Sequence, residues 1–192
     1  MRLFIAIGLP DAWKQILALP ESSIGWLGRG VKWVEPRGMH LTLRFLGEVP
    51  DNELSALQSA ITEAIGDTAP FAMRIHGTGV FPNARRPRVY WAGIEAPGTL
   101  IEMQKRIEER MQDLDFEKEE NPFRPHLTLA RIKEPIGKER MTEALLNFRL
   151  ESDPINVTEV LLMQSHLSKD GAQYEAIRHF PLTGGQTQIN PR

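Results

Sequence analysis

Two stretches of the chain carry the same four residues, His40-Leu41-Thr42-Leu43 and His126-Leu127-Thr128-Leu129. The sequence has only five histidines, so a repeated His-x-Thr is built from scarce letters. In an extended strand successive side chains alternate faces, which sets His40 beside Thr42 and His126 beside Thr128 while the leucines turn the other way into a core. Imidazole ionises near ~6.5, so two of them can divide acid and base work close to neutral pH. Threonine hydroxyls can donate hydrogen bonds to non-bridging phosphoryl oxygens. A base for an incoming hydroxyl, an acid for a departing one and donors for the phosphoryl group together form a set that cleaves a phosphodiester without a metal.

Each motif also has a plainer reading. A lone histidine in an apolar strand is ordinarily a hydrogen-bonded core or edge residue, and it is the repetition of the pair that favours chemistry. Metal binding is a second alternative, but there is one histidine per strand, with no His-x-His, no His-x-x-x-His and no nearby carboxylate, so a zinc site has little support. No metal and no cofactor are expected. His76, His166 and His179 have no threonine at this spacing and read as structural.

The elements that must hold these motifs alternate along the chain. Arg2 to Leu9 reads as a buried strand, followed by a short helix over 11–19. Val31 to Pro36 and His40 to Val49 are strand-like, and Pro50-Asp51 opens a helix whose Leu54, Leu57, Ile61 and Ile65 share one face. Phe71 to Phe81 and Arg86 to Glu95 are strands around the turn Pro82–Arg86. A second amphipathic helix carries Leu100, Met103, Ile107, Met111 and Leu114, and His126 to Ile132 follows as a strand. A helix over 138–146 and two strands, 155–167 and 174–182, around a turn at Lys169-Asp170-Gly171 complete the pattern. The fold class is α+β, bilobed, with two pseudo-symmetric lobes of antiparallel sheet, outer helices and a cleft between them. No Pro/Gly/Ser-rich linker interrupts residues 1–182, which read as one domain, and 183–192 read as a polar, disordered tail.

Composition narrows the partners. A net charge of -2 gives no global reason to expect nucleic acid, so any anion site must be a local basic patch. The densest is Arg85, Arg86 and Arg88, which is a solvated turn by default and a backbone clamp for RNA as the alternative. Tyr90 and Trp91 beside it could stack on bases or belong to the core. Arg124 could serve a phosphate or pair with Glu119 or Glu120. The absence of cysteine suits a reducing, cytoplasmic setting. The apolar run from Leu3 to Gly8 is too short for a signal peptide or a membrane span. No protein partner is evident.

The stretches "RLFIAIGLP", "VKWVEPRGMHLTLRFLGEV", "RPRVYWAGI" and "RPHLTLARI" resemble the LigT-like RNA 2′,3′-cyclic phosphodiesterases, historically called 2′-5′ RNA ligases, of the two-histidine phosphoesterase superfamily. The resemblance covers about residues 1 to 182. It implies a catalytic cleft between two lobes, no metal, and an RNA or oligonucleotide ending in a 2′,3′-cyclic phosphate as substrate. It implies His40 and His126 as the catalytic pair, with His126 activating water and His40 protonating the departing 3′ oxygen, to leave a 2′-phosphomonoester. Thr42, Thr128 and Arg131 then hold the phosphate and Phe45 stacks on the terminal base; run backwards, the site would ligate weakly to a 2′-5′ bond. Period-two alternation resists two of these roles, because Phe45 and Arg131 have the opposite parity to their histidines. A bulge, or a strand ending near Leu43 and Ala130, is needed to bring them round. Their ordinary readings are a core phenylalanine and a solvated arginine. The competing functions are a phosphodiesterase for another cyclic or 2′-5′-linked nucleotide, and a silent RNA- or nucleotide-binding module.

Overall fold

The computed structural model describes residues 1–168 and 171–185. The chain forms β1 (Arg2–Ile7), α1 (Asp11–Ile24), β2 (Val31–Trp33), β3 (Leu41–Glu48), α2 (Leu54–Ile65), β4 (Phe71–Phe81), β5 (Val89–Glu95), α3 (Gly98–Asp113), β6 (His126–Ile132), α4 (Glu139–Leu146), β7 (Ile155–Val157), β8 (Glu159–Ser168) and β9 (Gly171–Pro181). Two antiparallel sheets result, in the orders β3-β1-β8-β9 and β2-β6-β5-β4-β7. The α+β, two-lobed architecture expected from the pattern is therefore present, with one His-x-Thr motif on each sheet.

The halves of the chain are built alike. β1 and β3 lie side by side and are joined through α1, and β5 and β6 lie side by side and are joined through α3. Each half then gives two strands to the opposite sheet, β2 and β4 from the first and β8 and β9 from the second. β4, which follows α2, pairs with β5, whereas β8, which follows β7, pairs with β1. The lobes are thus interleaved, which explains the lack of any linker in the sequence.

Apolar periodicity dictates the packing. β1 is buried from Leu3 through Ile7, as a central strand covered on both faces must be. α2 buries Leu57, Ala60, Ile61, Ala64 and Ile65. α3 buries Leu100, Met103, Ile107 and Met111 and packs beside α2, where the Arg106 Nε–H donates to the Ala64 carbonyl at 2.8 Å. One contiguous apolar cluster runs from Leu3 to Leu182 through both sheets.

Two local expectations need correction. The first helix does not stop at Leu19 but runs to Ile24, past Pro20, whose ring is buried with Trp13 and Leu17 on the core face. That burial outweighs the hydrogen bond a mid-helix proline forfeits. The segment 155–167 is not one strand. It breaks at Thr158, whose carbonyl accepts the Leu182 N–H at 2.8 Å, so that β7 joins β4 and β8 joins β1. The Lys169-Asp170 turn and residues 186–192 lie outside the described residues. The first residues of the polar tail are anchored, since the Gly184 N–H donates to the Thr68 carbonyl at 3.0 Å.

Candidate active site

The two histidines stand at the starts of their strands. His40 immediately precedes the first residue of β3, and His126 is the first residue of β6. Both line one cleft between the sheets, about 690 Å³ in volume, together with Thr42, Thr128, Phe45 and Arg131. All six residues singled out in the sequence are therefore brought together.

The parity conflict is resolved by two bulges. In β6, Ala130 pairs with Tyr90 and Thr128 with Trp91, so Leu129 is an extra residue with no partner on β5. In β3, Arg44 pairs with Ile5 and Thr42 with Ala6, so Leu43 is the extra residue opposite β1. The extra residue reverses the alternation. Leu129 and Ala130 are both buried and Arg131 is exposed on the side of His126 and Thr128. Likewise Leu43 and Arg44 are buried and Phe45 faces outward beside Thr42. Phe45 is 57% exposed, so it is not the core phenylalanine of the ordinary reading.

The imidazoles sit in different surroundings. The His40 ring stacks on Phe4 at 4.5 Å and meets the edge of Tyr174 at 4.9 Å. Burial among these rings lowers its pKa to about 4, against which a hydrogen bond to the Gly38 backbone pulls upward. His126 is held from its own strand approach: its Nδ1 lies 2.7 Å from the Arg124 carbonyl. A carbonyl only accepts, so Nδ1 carries the proton and Nε2 is the nitrogen with a free lone pair in the neutral ring. Phe81 stands edge-on to the His126 ring at 5.1 Å and fixes its plane.

Arg44 connects the motifs. It is 6% exposed and forks between Glu108 of α3, at 2.7 Å, and Glu119, at 2.9 Å. Its other donors go to the Phe45 and Glu117 carbonyls. The Nε–H points out of line for a hydrogen bond to Glu108, so that contact is an ion pair alone. The fork ties β3, which carries the first motif, to the segment 117–124 that leads into the second. Glu119 therefore belongs to Arg44, and no ion pair joins Arg124 to Glu119 or Glu120 among the described residues. Arg124 instead lines the cleft and holds His126 through its carbonyl.

A family model for the 2′-5′ RNA ligase superfamily matches residues 17–168. An RNA 2′,3′-cyclic phosphodiesterase of Methanothermobacter thermautotrophicus is 30% identical over 95% of this chain and 99% of its own. The enzyme of the same name from Thermus thermophilus is 36% identical over 96% of this chain and 91% of its own. Among solved structures, TT0787 of Thermus thermophilus superposes with a TM-score of 0.79 at 32% identity, covering 96% of this chain and all of that one. Escherichia coli LigT complexed with 3′-AMP gives 0.77 at 25% identity, covering 95% of this chain and 98% of that one. The chain belongs to the 2′-5′ RNA ligase superfamily.

For a member of this superfamily, the cleft contains residues that its motifs do not announce. Tyr174 reaches His40 from β9 and is 39% exposed. Phe4 comes from β1 and Phe81 from the end of β4. None sits at a repeated spacing, and only the pairing of β1 with both β3 and β8 brings Phe4 and Tyr174 to one ring. Tyr90, by contrast, is core, its hydroxyl 2.8 Å from Thr142 Oγ1. Trp91 lies flat over Gly79, where a Cβ would come within 2.0 Å of the indole, and does not line the cleft. Arg85 and Arg86 also lie outside the lining. Among the described residues, no cluster of three or more His, Cys, Asp or Glu side chains could hold a metal, and no helix is long and apolar enough to cross a membrane.

Proposed function

We propose that this protein hydrolyses RNA 2′,3′-cyclic phosphates to 2′-phosphomonoesters by metal-independent acid–base catalysis with two histidines. The observation that carries the reading is that one His-x-Thr pair from each sheet faces a single cleft. His126 Nε2 takes a proton from water as the water oxygen attacks phosphorus. The bond from phosphorus to the 3′ oxygen breaks, and His40 gives that oxygen its proton. Thr42, Thr128 and Arg131 hold the non-bridging oxygens as charge builds on them. Phe45, exposed at the cleft, offers the terminal base a stacking face.

His40 must be charged to act as the acid, yet burial keeps its pKa at about 4. The substrate supplies what is missing. An anionic phosphodiester beside the ring favours the imidazolium, so binding draws a proton onto His40. The same site run backwards, with an RNA 5′-hydroxyl in place of water, would form a 2′-5′ linkage.

An oligonucleotide ending in a 2′,3′-cyclic phosphate, assayed with and without EDTA, tests the reading. Opening of the ring in both conditions to a 2′-phosphate end, identified by phosphorus NMR, is expected. A dominant 3′-phosphate would reverse the roles of the histidines or the pose, and loss of turnover on chelation with rescue by zinc or manganese would replace the mechanism.

A further inference from the structure

Six of the 23 lysines and arginines form ion pairs among the described residues. Lys14, Arg44, Arg74, Lys105, Arg110 and Arg149 each pair with a carboxylate. Among the described residues, Lys32, Arg85, Arg86, Arg88 and Arg131 have no carboxylate within ion-pair distance. These five lie together. Lys32 of β2 is the direct cross-strand partner of Arg131 of β6, and Arg131 is in turn opposite Val89 of β5. The Arg88 carbonyl accepts the Ile132 N–H at 2.9 Å, and the Arg88 N–H closes the turn onto Phe81 at 2.7 Å. That turn carries Arg85 and Arg86, whose N–H groups both donate to the Asn83 side chain at 3.1 Å.

Directly opposed strand residues share a face, so Lys32 points to the side on which the bulge places Arg131. Like charges directly opposite each other destabilise a sheet. An anion lying across the pair converts that repulsion into attraction. The row is exposed, spans three strands at roughly 5 Å spacing and ends at Arg131, Val89 and Phe81, which line the cleft. In a chain of net charge -2 it is the local basic patch that a polyanion requires.

We infer that Lys32, Arg85 and Arg86 form a track for the backbone phosphates of the RNA strand that enters the cleft, upstream of the terminal nucleotide bound at the two histidines. This inference rests on the proposed phosphodiesterase activity and adds the substrate's length to it: the protein prefers a strand to a mononucleotide.

The test compares adenosine 2′,3′-cyclic phosphate with a short oligoadenylate ending in the same group. The oligonucleotide should show the lower KM and the steeper fall in kcat/KM with salt. Lys32→Gln and Arg86→Gln should each raise its KM roughly two- to fivefold, the range of one exposed ionic contact. Each should also lower its logarithmic salt slope by about 0.7. Both constants for the mononucleotide should stay unchanged. Equal KM and equal salt dependence for the two substrates in the unmutated protein would overturn the track, as would variants that impair both substrates alike. Turnover of the mononucleotide alone keeps the activity and removes the track; turnover of neither removes both.

Discussion

The rings of His40 and Phe4 stack at 4.5 Å, 30° from parallel, so one face of the imidazole never meets water. Tyr174 covers its edge. The reaction needs one imidazole free and the other charged, and the His40 ring is not fully protonated until the pH falls below about 4. The acid limb of kcat/KM should therefore fall near 4 rather than near the ordinary histidine range of ~6.5. Phe4→Ser, which admits water to the ring, should move that limb upward. A profile in Phe4→Ser that overlays the original would show that burial does not set this ionisation.

The same burial predicts how the fold responds to acid. Between about pH 6.5 and 4 the unfolded chain protonates this histidine and the folded chain does not. The unfolded state binds more protons there, so stability falls as pH drops through that window, by roughly 3 kcal/mol at most. His40→Gln should remove this part of the acid sensitivity. Urea unfolding of both proteins at neutral pH and near pH 4 checks it; equal losses in the two would refute it.

His40→Ala and His126→Ala should each cut turnover by roughly 10²–10⁴ while leaving the fold intact. The double variant should fall far short of the product of the two losses, because the pair works as a unit. Near-normal rates in either single variant would sink the mechanism.

Phe45→Ala should weaken substrate binding by about 1–3 kcal/mol, the range for one lost base stack, with no loss of stability since the ring is 57% exposed. Isothermal titration with a non-hydrolysable analogue, alongside a melting curve, separates the two effects.

Arg44→Met should be the costliest of these changes to the fold. It strands the Glu108 and Glu119 carboxylates, and removing one partner of a buried ion pair costs about 3–5 kcal/mol. Adding Glu108→Gln should recover part of the loss in denaturant midpoint. No recovery would mean that Arg44 matters by its packing and not by its charge.

The sequence displayed much of this site because period two and period 3.6 are local signals. β4 and β6 are the predicted strands to the residue, and the apolar faces of α2 and α3 are those counted from spacing. The placement of Phe45 and Arg131 was legible only as a conflict, since a bulge at Leu43 or Leu129 is defined by the partner strand and not by the residue itself. Tyr174, Phe4 and the Arg44 fork were invisible for a related reason. Their roles depend on which strands become neighbours, and β1 has β3 on one side and β8 on the other. Nothing in the run from Ile155 to Leu167 announces that its two pieces serve different sheets.

That exchange of strands has a mechanical consequence. A cleft between two lobes joined by a single ribbon can swing open about the ribbon, and each lobe can be expressed alone. Here a cut in the turn at Asn83 would leave β4 on one piece and both its neighbours, β5 and β7, on the other, while β1 would lose β8. Neither piece could complete a sheet unaided. The two jaws that present the histidines are woven from each other's thread, so they should melt in a single step, and two separately made fragments would regain a fold only on meeting.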